Sequence, residues 1–327
     1  MRVTRSHRKV VLKKAKIVMI RLITLIVFTF FLFCLIFILS SFNKTCWLGK
    51  TNFNLVIQAN NLFIYSFHSN EGLNIISFPQ KTYLPVAKAY GEYDLTKIFS
   101  LGETEDISGG ELLKISLQNF FKAPMDGFLV LKDPLKCQLN LQDLEKGRLT
   151  SLYVCLLKGE IATDLTFLDI FKLFKELSFL KINQVDLVRI EETKLYQEEY
   201  LADQSEIWKI DPVLIDDFSQ KQFADQKILV EKLGLAVVNK TNYPKLAKEA
   251  SRLLNNIGGE VLLISSKTDR SCSQSSLFYQ NKDLKNSYTF KKVLRTFKVS
   301  QKGLKSELKT DLELVLCQDY LNLFYIK

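Results

Sequence analysis

The sequence predicts an α/β chain: a single N-terminal transmembrane helix followed by two exported α/β domains. Three stretches carry that expectation. Residues 22–42 contain no charge, Gly or Pro. Residues 62–78 read as two strands around a polar turn, and residues 233–264 as strand, helix, strand.

A helix over 22–42, rising about 1.5 Å per residue, would cover a hydrocarbon core of roughly 30 Å. Ahead of it stand Arg2, Arg5, Arg8, Lys9, Lys13, Lys14, Lys16 and Arg21, with no acid. A cationic flank of this kind stays in the cytoplasm. The expected location is therefore the cell membrane, single-pass, with the bilayer as one partner and everything after residue 42 extracytoplasmic. A cleaved signal would have a shorter apolar region, about 7–15 residues, and a small-x-small site. Phe42-Asn-Lys44 provides none, so an uncleaved anchor is expected.

Charge and composition narrow the function classes. The net charge is +10, and the eight cations before residue 22 leave only +2 for the rest. Basicity is thus a feature of the tail, and nucleic acid is not expected as a partner. There are two His, His7 and His68, and no C-x-x-C pair. A zinc site is not expected, and the scattered Cys46, Cys137, Cys155, Cys272 and Cys317 read as small buried hydrophobes with an odd number of thiols. Gly-rich phosphate loops are absent.

The organisation read along the chain is a basic tail (1–21), the span (22–42), a juxtamembrane linker (43–59), a first domain (60–190), an acidic connection (191–227) and a second domain (228–327). Leu62–Phe67 and Leu73–Phe78 form a hairpin that Pro79 ends. A short helix follows over Asp94–Gly102. A longer one runs over Gly109–Phe121, with Leu112, Leu113, Leu117, Phe120 and Phe121 at helical spacing, and Phe128–Leu131 is a strand. Thr166-Phe-Leu-Asp169 reads as a capping box before a buried helix. Val185–Ile190 is a strand. The run from Glu191 to Asp217 is acidic and reads as a solvated connection, with a helix after Pro212. Leu246, Ala250, Leu253, Leu254 and Ile257 then form one helical stripe stopped by Gly258-Gly259, before the strand Val261–Ile264. Two strands joined this way pair in parallel. A second stripe holds Phe290, Val293, Leu294 and Phe297, and a closing strand spans Asp311–Cys317.

Val237-Val-Asn-Lys-Thr241, Lys245-Leu-Ala247, the helix, Gly258-Gly259 and Val261–Ser265 follow one another in an order that resembles the C-terminal domain of the LytR-CpsA-Psr group. Pro79, Asn239, Thr241, Leu246 and Ala247 are the residues that carry the family pattern. Lys240 and Lys245 replace its glycines. Residues 60–131 resemble the group's catalytic domain less closely, through Ser77-Phe-Pro-Gln-Lys-Thr82, Gly109-Gly110 and Pro124-Met-Asp-Gly-Phe128. The resemblance implies transfer of wall polymers from a polyprenyl-pyrophosphate carrier, using Arg for the pyrophosphate and acids for a divalent metal. This chain has Gln80 and Lys81 in place of the motif's Arg and Asp, and Asn60 and Asn61 where an acid is usual. Gln cannot replace the charged fork of Arg. Lys81 and Lys97 remain as point charges for a phosphate. The expectation is a degenerate first domain, no catalytic residue, no metal and no cofactor. The chain would serve as a scaffold or binding module for lipid-linked glycan or envelope proteins. The alternative is a divergent glycopolymer transferase requiring Mg, with Lys81, Lys97 and Asp94 or Asp106 converging on one pocket.

Overall fold

The computed structural model describes residues 19–33, 45–47, 51–68, 72–201, 203–269, 271–304 and 309–325. Its strands are β1 (Phe53–Gln58), β2 (Leu62–His68), β3 (Gly72–Phe78), β4 (Thr82–Val86), β5 (Gly91–Asp94), β6 (Gly127–Leu131), β7 (Ile161–Thr163), β8 (Val185–Arg189), β9 (Tyr196–Tyr200), β10 (Glu206–Ile210), β11 (Gly234–Asn239), β12 (Glu260–Ser266), β13 (Ser276–Tyr279), β14 (Ser300–Leu304) and β15 (Leu312–Leu316). Helix α1 covers 19–33. The others are α2 (Ile98–Thr104), α3 (Gly109–Phe121), α4 (Leu141–Glu145), α5 (Thr150–Leu157), α6 (Phe167–Phe179), α7 (Ile215–Phe223), α8 (Gln226–Glu231), α9 (Leu246–Asn256), α10 (Tyr288–Thr296) and α11 (Gln318–Phe324).

The mixed α/β character holds, but the transmembrane helix does not. The described residues of α1 include 22–33 of the expected span. Among the described residues no helix is long and apolar enough to cross a membrane. The single-pass location, with a cytoplasmic N-terminus and extracytoplasmic domains, rested on that span and falls with it. Residues 34–42 of the expected span, 1–18 of the basic tail, and 43–44 and 48–50 of the expected linker lie outside the described residues.

Three sheets organise the rest, in the orders β7-β6-β1-β2-β3-β8, β5-β4-β10-β9 and β12-β11-β15-β13-β14. The hairpin pairs Leu62 with Phe78 and His68 with Gly72 in antiparallel register. All six residues of β1 are buried, because both faces of the first sheet are covered, which also explains its unbroken apolar reading. Along β2 the alternation is visible in three dimensions. Leu62 and Ile64 face α3, α7 and the C-terminal sheet in one core. Phe63, Tyr65 and Phe67 face Leu144, Leu152 and Leu173 in a second. The first core is continuous from Val56 through Phe121 and Phe223 to Leu235 and Phe324. Gly110 of α3 lies where a Cβ would come within 2.1 Å of the Phe128 ring, so only Gly permits that helix-to-strand approach.

The parallel expectation holds: β11 and β12 pair in parallel around α9. Other expectations change. The acidic stretch after residue 191 is not only a connection. It supplies β9 and β10, which pair with each other, while β10 runs parallel to β4. Ile207 and Ile210 point inward, and Tyr196 stacks on Trp208 at 4.3 Å. Glu198, Glu199 and Glu206 are all exposed, and their charge masked the strand pattern. The capping box of α6 is present, with Thr166 and Asp169 in reciprocal bonds. The helix is not buried on most faces, however, for only Asp169 and Leu173 are inside.

The cysteines also depart from the buried-hydrophobe reading. Cys137 pairs with Cys155 and Cys272 with Cys317, leaving Cys46 as the free thiol among the described residues. Closing loops of 18 and 45 residues restricts the unfolded chain. Alkylation of the urea-unfolded chain without reductant is expected to leave Cys137, Cys155, Cys272 and Cys317 unmodified in a mass spectrum, and to modify them only after reduction. Labelling of all four before reduction would contradict the pairing.

Candidate functional site

The sequence-derived residues separate in space. Lys81 sits at φ 60° in the turn between β3 and β4. Its side chain is exposed, and its carbonyl accepts Trp208 N–H at 3.0 Å. Lys97 is exposed before α2, and its carbonyl accepts the Ser100 hydroxyl. Asp94 accepts both the N–H and the hydroxyl of Thr96, a local cap. Pro79 closes the turn by accepting the Thr82 hydroxyl at 2.8 Å. Asn239 and Thr241 build the turn after β11. The Asn239 Oδ1 accepts Thr241 N–H and Oγ1–H, and Asn239 Nδ2 donates to Tyr243 O. Leu246 and Ala247 are core residues at the start of α9.

The polar residues inside the first sheet are joined to one another and to later elements. Ser66 Oγ–H donates to Asn54 Oδ1 at 2.7 Å, and Asn54 Nδ2 donates to Pro124 O. Asn74 Nδ2 donates to Gln222 Oε1 from α7. Lys292 of α10 reaches Asp126 at 2.9 Å. Ser66 and His68 superficially resemble a nucleophile and its base, with Oγ 3.3 Å from His68 Nε2 and Asn52 Nδ2 3.3 Å from His68 Nδ1. Ser66 is fully buried, and its Oγ–H is already donated to Asn54 Oδ1 at 2.7 Å, shorter than its 3.3 Å approach to His68.

A cleft of about 360 Å³ opens instead where α3, α7, α9 and α11 meet. Lys122, in the left-handed conformation that caps α3, holds Glu249 of α9 at 2.7 Å. Arg252, one turn further, grips Asp216 of α7 through Nε and Nη2 at 2.9 and 3.1 Å. Asn256 adds a bond to the same carboxylate. Burial pushes the Lys122 ammonium below the ordinary lysine range, with Glu249 opposing it. Burial would raise Asp216, but bonds from Arg252 and Asn256 outweigh it and hold the carboxyl below its usual range. Tyr243 and Tyr325, 5.4 Å apart by centroid, form an aromatic wall with Phe120 and Phe324.

This arrangement is suited to recognition. Charges are paired in fixed geometry, rings provide apolar surface, and concave sites of this composition hold small ligands. Neither Lys81 nor Lys97 lines it. Sequence reasoning did not single out Lys122, Glu249, Arg252 or Tyr325. The one local signal was the Glu249–Arg252 spacing on a helix; their partners come from distant elements.

No protein-family model matches the chain, and no curated protein does. Among solved structures it is similar to the transcriptional regulator yvhJ from Bacillus subtilis, with 13% identity over 54% of this chain and 98% of that one, at a TM-score of 0.38. A transcriptional regulator from Enterococcus faecalis shows 10% identity over 64% of this chain and 88% of that one, at 0.37. A protein from Streptococcus agalactiae shows 8% identity over 53% of this chain and 87% of that one, at 0.37. Likenesses this weak carry no argument about fold or function.

Proposed function

We propose that this chain is a non-catalytic binding module, a degenerate relative of the LytR-CpsA-Psr group, that holds a glycan-type ligand in the cleft around Lys122, Glu249 and Arg252. The observation that carries the reading is the state of the first sheet. The side chains of Asn54, Ser66 and Asn74 bond to other protein groups, and Lys81 and Lys97 stand exposed on turns outside the cleft. No cationic clamp for a pyrophosphate is assembled from them. The cleft, in contrast, combines hydrogen-bonding side chains with tyrosine rings, the chemistry that suits sugar hydroxyls and ring faces.

Calorimetry with a tetrasaccharide of N-acetylhexosamines tests the binding. Tyr243→Ala is expected to weaken it about five- to tenfold, the effect of losing one aromatic contact worth about 1 kcal/mol. No heat of binding would remove the ligand assignment. A transfer assay with a polyprenyl-pyrophosphate-linked glycan and Mg tests the rest. The expected result is no product, and glycan transfer abolished by Lys81→Ala with Lys97→Ala would establish the transferase instead.

A further inference from the structure

Strand β12 lies at one end of its sheet, beyond β11. An edge strand presents backbone N–H and C=O groups that another strand can pair, and proteins guard such edges with charge or brevity. The other edge strands here are guarded. Strand β7 has three residues. Strands β5, β8, β9 and β14 carry charge within their length, in Glu92, Asp186, Glu198 and Lys302 among others.

Strand β12 has neither guard. Its seven residues read Glu-Val-Leu-Leu-Ile-Ser-Ser, uncharged after Glu260. Leu262, Leu263 and Ile264 are 60%, 42% and 50% exposed. Leu263 and Ile264 point to opposite faces of the sheet, so both faces are open at this edge. A register shift against β11 leaves Leu262 as the extra residue of a bulge, and from Leu263 to Ser266 the pairing is regular. Lys267 donates its N–H to Asn239 O at 2.9 Å, into the sheet. By alternation, the N–H groups of Ile264 and Ser266 face the open side. Helix α8 extends the apolar surface. A Cβ on Gly258, in the turn before β12, would lie 2.7 Å from Leu229 Cγ, and Val230 beside it is 77% exposed.

Charge identifies the occupant. Exposed Glu260 stands at one end of the uncharged run, and exposed Lys267 just past the other. Two copies of β12 placed antiparallel bring Glu260 of each beside Lys267 of the other, with aliphatic residues facing one another between them. Placed parallel, they set like charges side by side. One two-fold axis through the middle of the strand satisfies both ends, as an isologous interface requires. We propose that β12 is the interface between two copies of this chain, joined antiparallel along this edge into one continuous sheet.

Hydrogen exchange on the full chain, resolved to single amides and repeated over a range of protein concentration, tests the proposal. The amides of Ile264 and Ser266 are expected to slow about tenfold as concentration rises, with α9 unchanged. Ile264→Lys, at an exposed position and checked for an unchanged far-UV spectrum, is expected to abolish that slowing. Charge exchange tests the orientation. Glu260→Lys and Lys267→Glu are each expected to raise the concentration needed for slowing about three- to tenfold. The double variant, or an equimolar mixture of the two single variants, is expected to restore it. Exchange at Ile264 and Ser266 that stays fast at every concentration would overturn the proposal and leave the edge to a different partner. So would association that slows other segments but not these two amides. No weakening by the single variants, or weakening that the double variant does not relieve, would overturn the antiparallel arrangement.

Discussion

Lys292→Ala is expected to lower the stability of the chain by about 3–5 kcal/mol, the cost of stranding one member of a buried ion pair. Lys292 is 4% exposed on α10, and its Nζ lies 2.9 and 3.0 Å from the two oxygens of Asp126, with Asn52 O at 3.3 Å. Asp126 in turn accepts the Asn54 N–H at 2.9 Å and donates its own N–H to Asn54 O at 2.8 Å. The pair thus joins a helix of the C-terminal sheet to the central strands of the first. Removing the ammonium leaves a carboxylate in an interior that cannot solvate it. Lys292→Met combined with Asp126→Asn removes both charges, and is expected to recover most of the loss. Urea unfolding at neutral pH measures all three. A loss below about 1 kcal/mol for Lys292→Ala would show that water already reaches Asp126.

Asp169→Ala is expected to cost about 3 kcal/mol. About 1 comes from the lost helix cap and the rest from N–H groups left without an acceptor. Asp169 is fully buried and accepts from the N–H and hydroxyl of Thr166, the N–H groups of Cys46 and Trp47, and the hydroxyl of Thr45. Burial alone would raise its carboxyl. The bonds from Thr45, Thr166, Cys46 and Trp47 outweigh that and hold it below the usual carboxylate range. Its folded value therefore lies below the unfolded value of about 3.9. The stabilisation is complete above the unfolded value and is lost as pH falls through the folded one. The difference between the native chain and Asp169→Ala should be full at pH 7 and shrink at pH 3. A difference that stays constant would place the effect in packing, not in the charge.

The legible parts of the fold were those with local causes. Helix α3 was readable from its apolar stripe, the β2–β3 hairpin from strand formers around a Gly turn, and the capping box from Thr166 and Asp169 alone. Strands β9 and β10 were not, because the exposed Glu198, Glu199 and Glu206 interrupt any apolar pattern around the buried Ile207 and Ile210. The span over 22–42 was an inference from apolarity, and among the described residues no helix is long and apolar enough to cross a membrane. The cleft was hidden for a different reason. Lys122, Asp216 and Glu249 each look like ordinary surface charges, and become partners only when the ends of α3, α7 and α9 meet. Cysteine pairing was equally hidden, since a separation of 18 or 45 residues does not state which Cα atoms lie within bridging distance.

By itself the sequence determined the α/β class, the parallel β11–α9–β12 crossover, and the absence of the Arg and Asp that the family resemblance requires at Gln80 and Lys81. Each of these is a property of residue type and short spacing. Tertiary structure alone decided that Ser66 is buried with its hydroxyl bonded to Asn54, that Lys122 and Arg252 share a cleft, and that Phe167, Phe171 and Phe179 of α6 face outward. Those depend on which distant surfaces exclude water from one another. A linear pattern fixes which side of a helix is apolar, but not what, if anything, is packed against it.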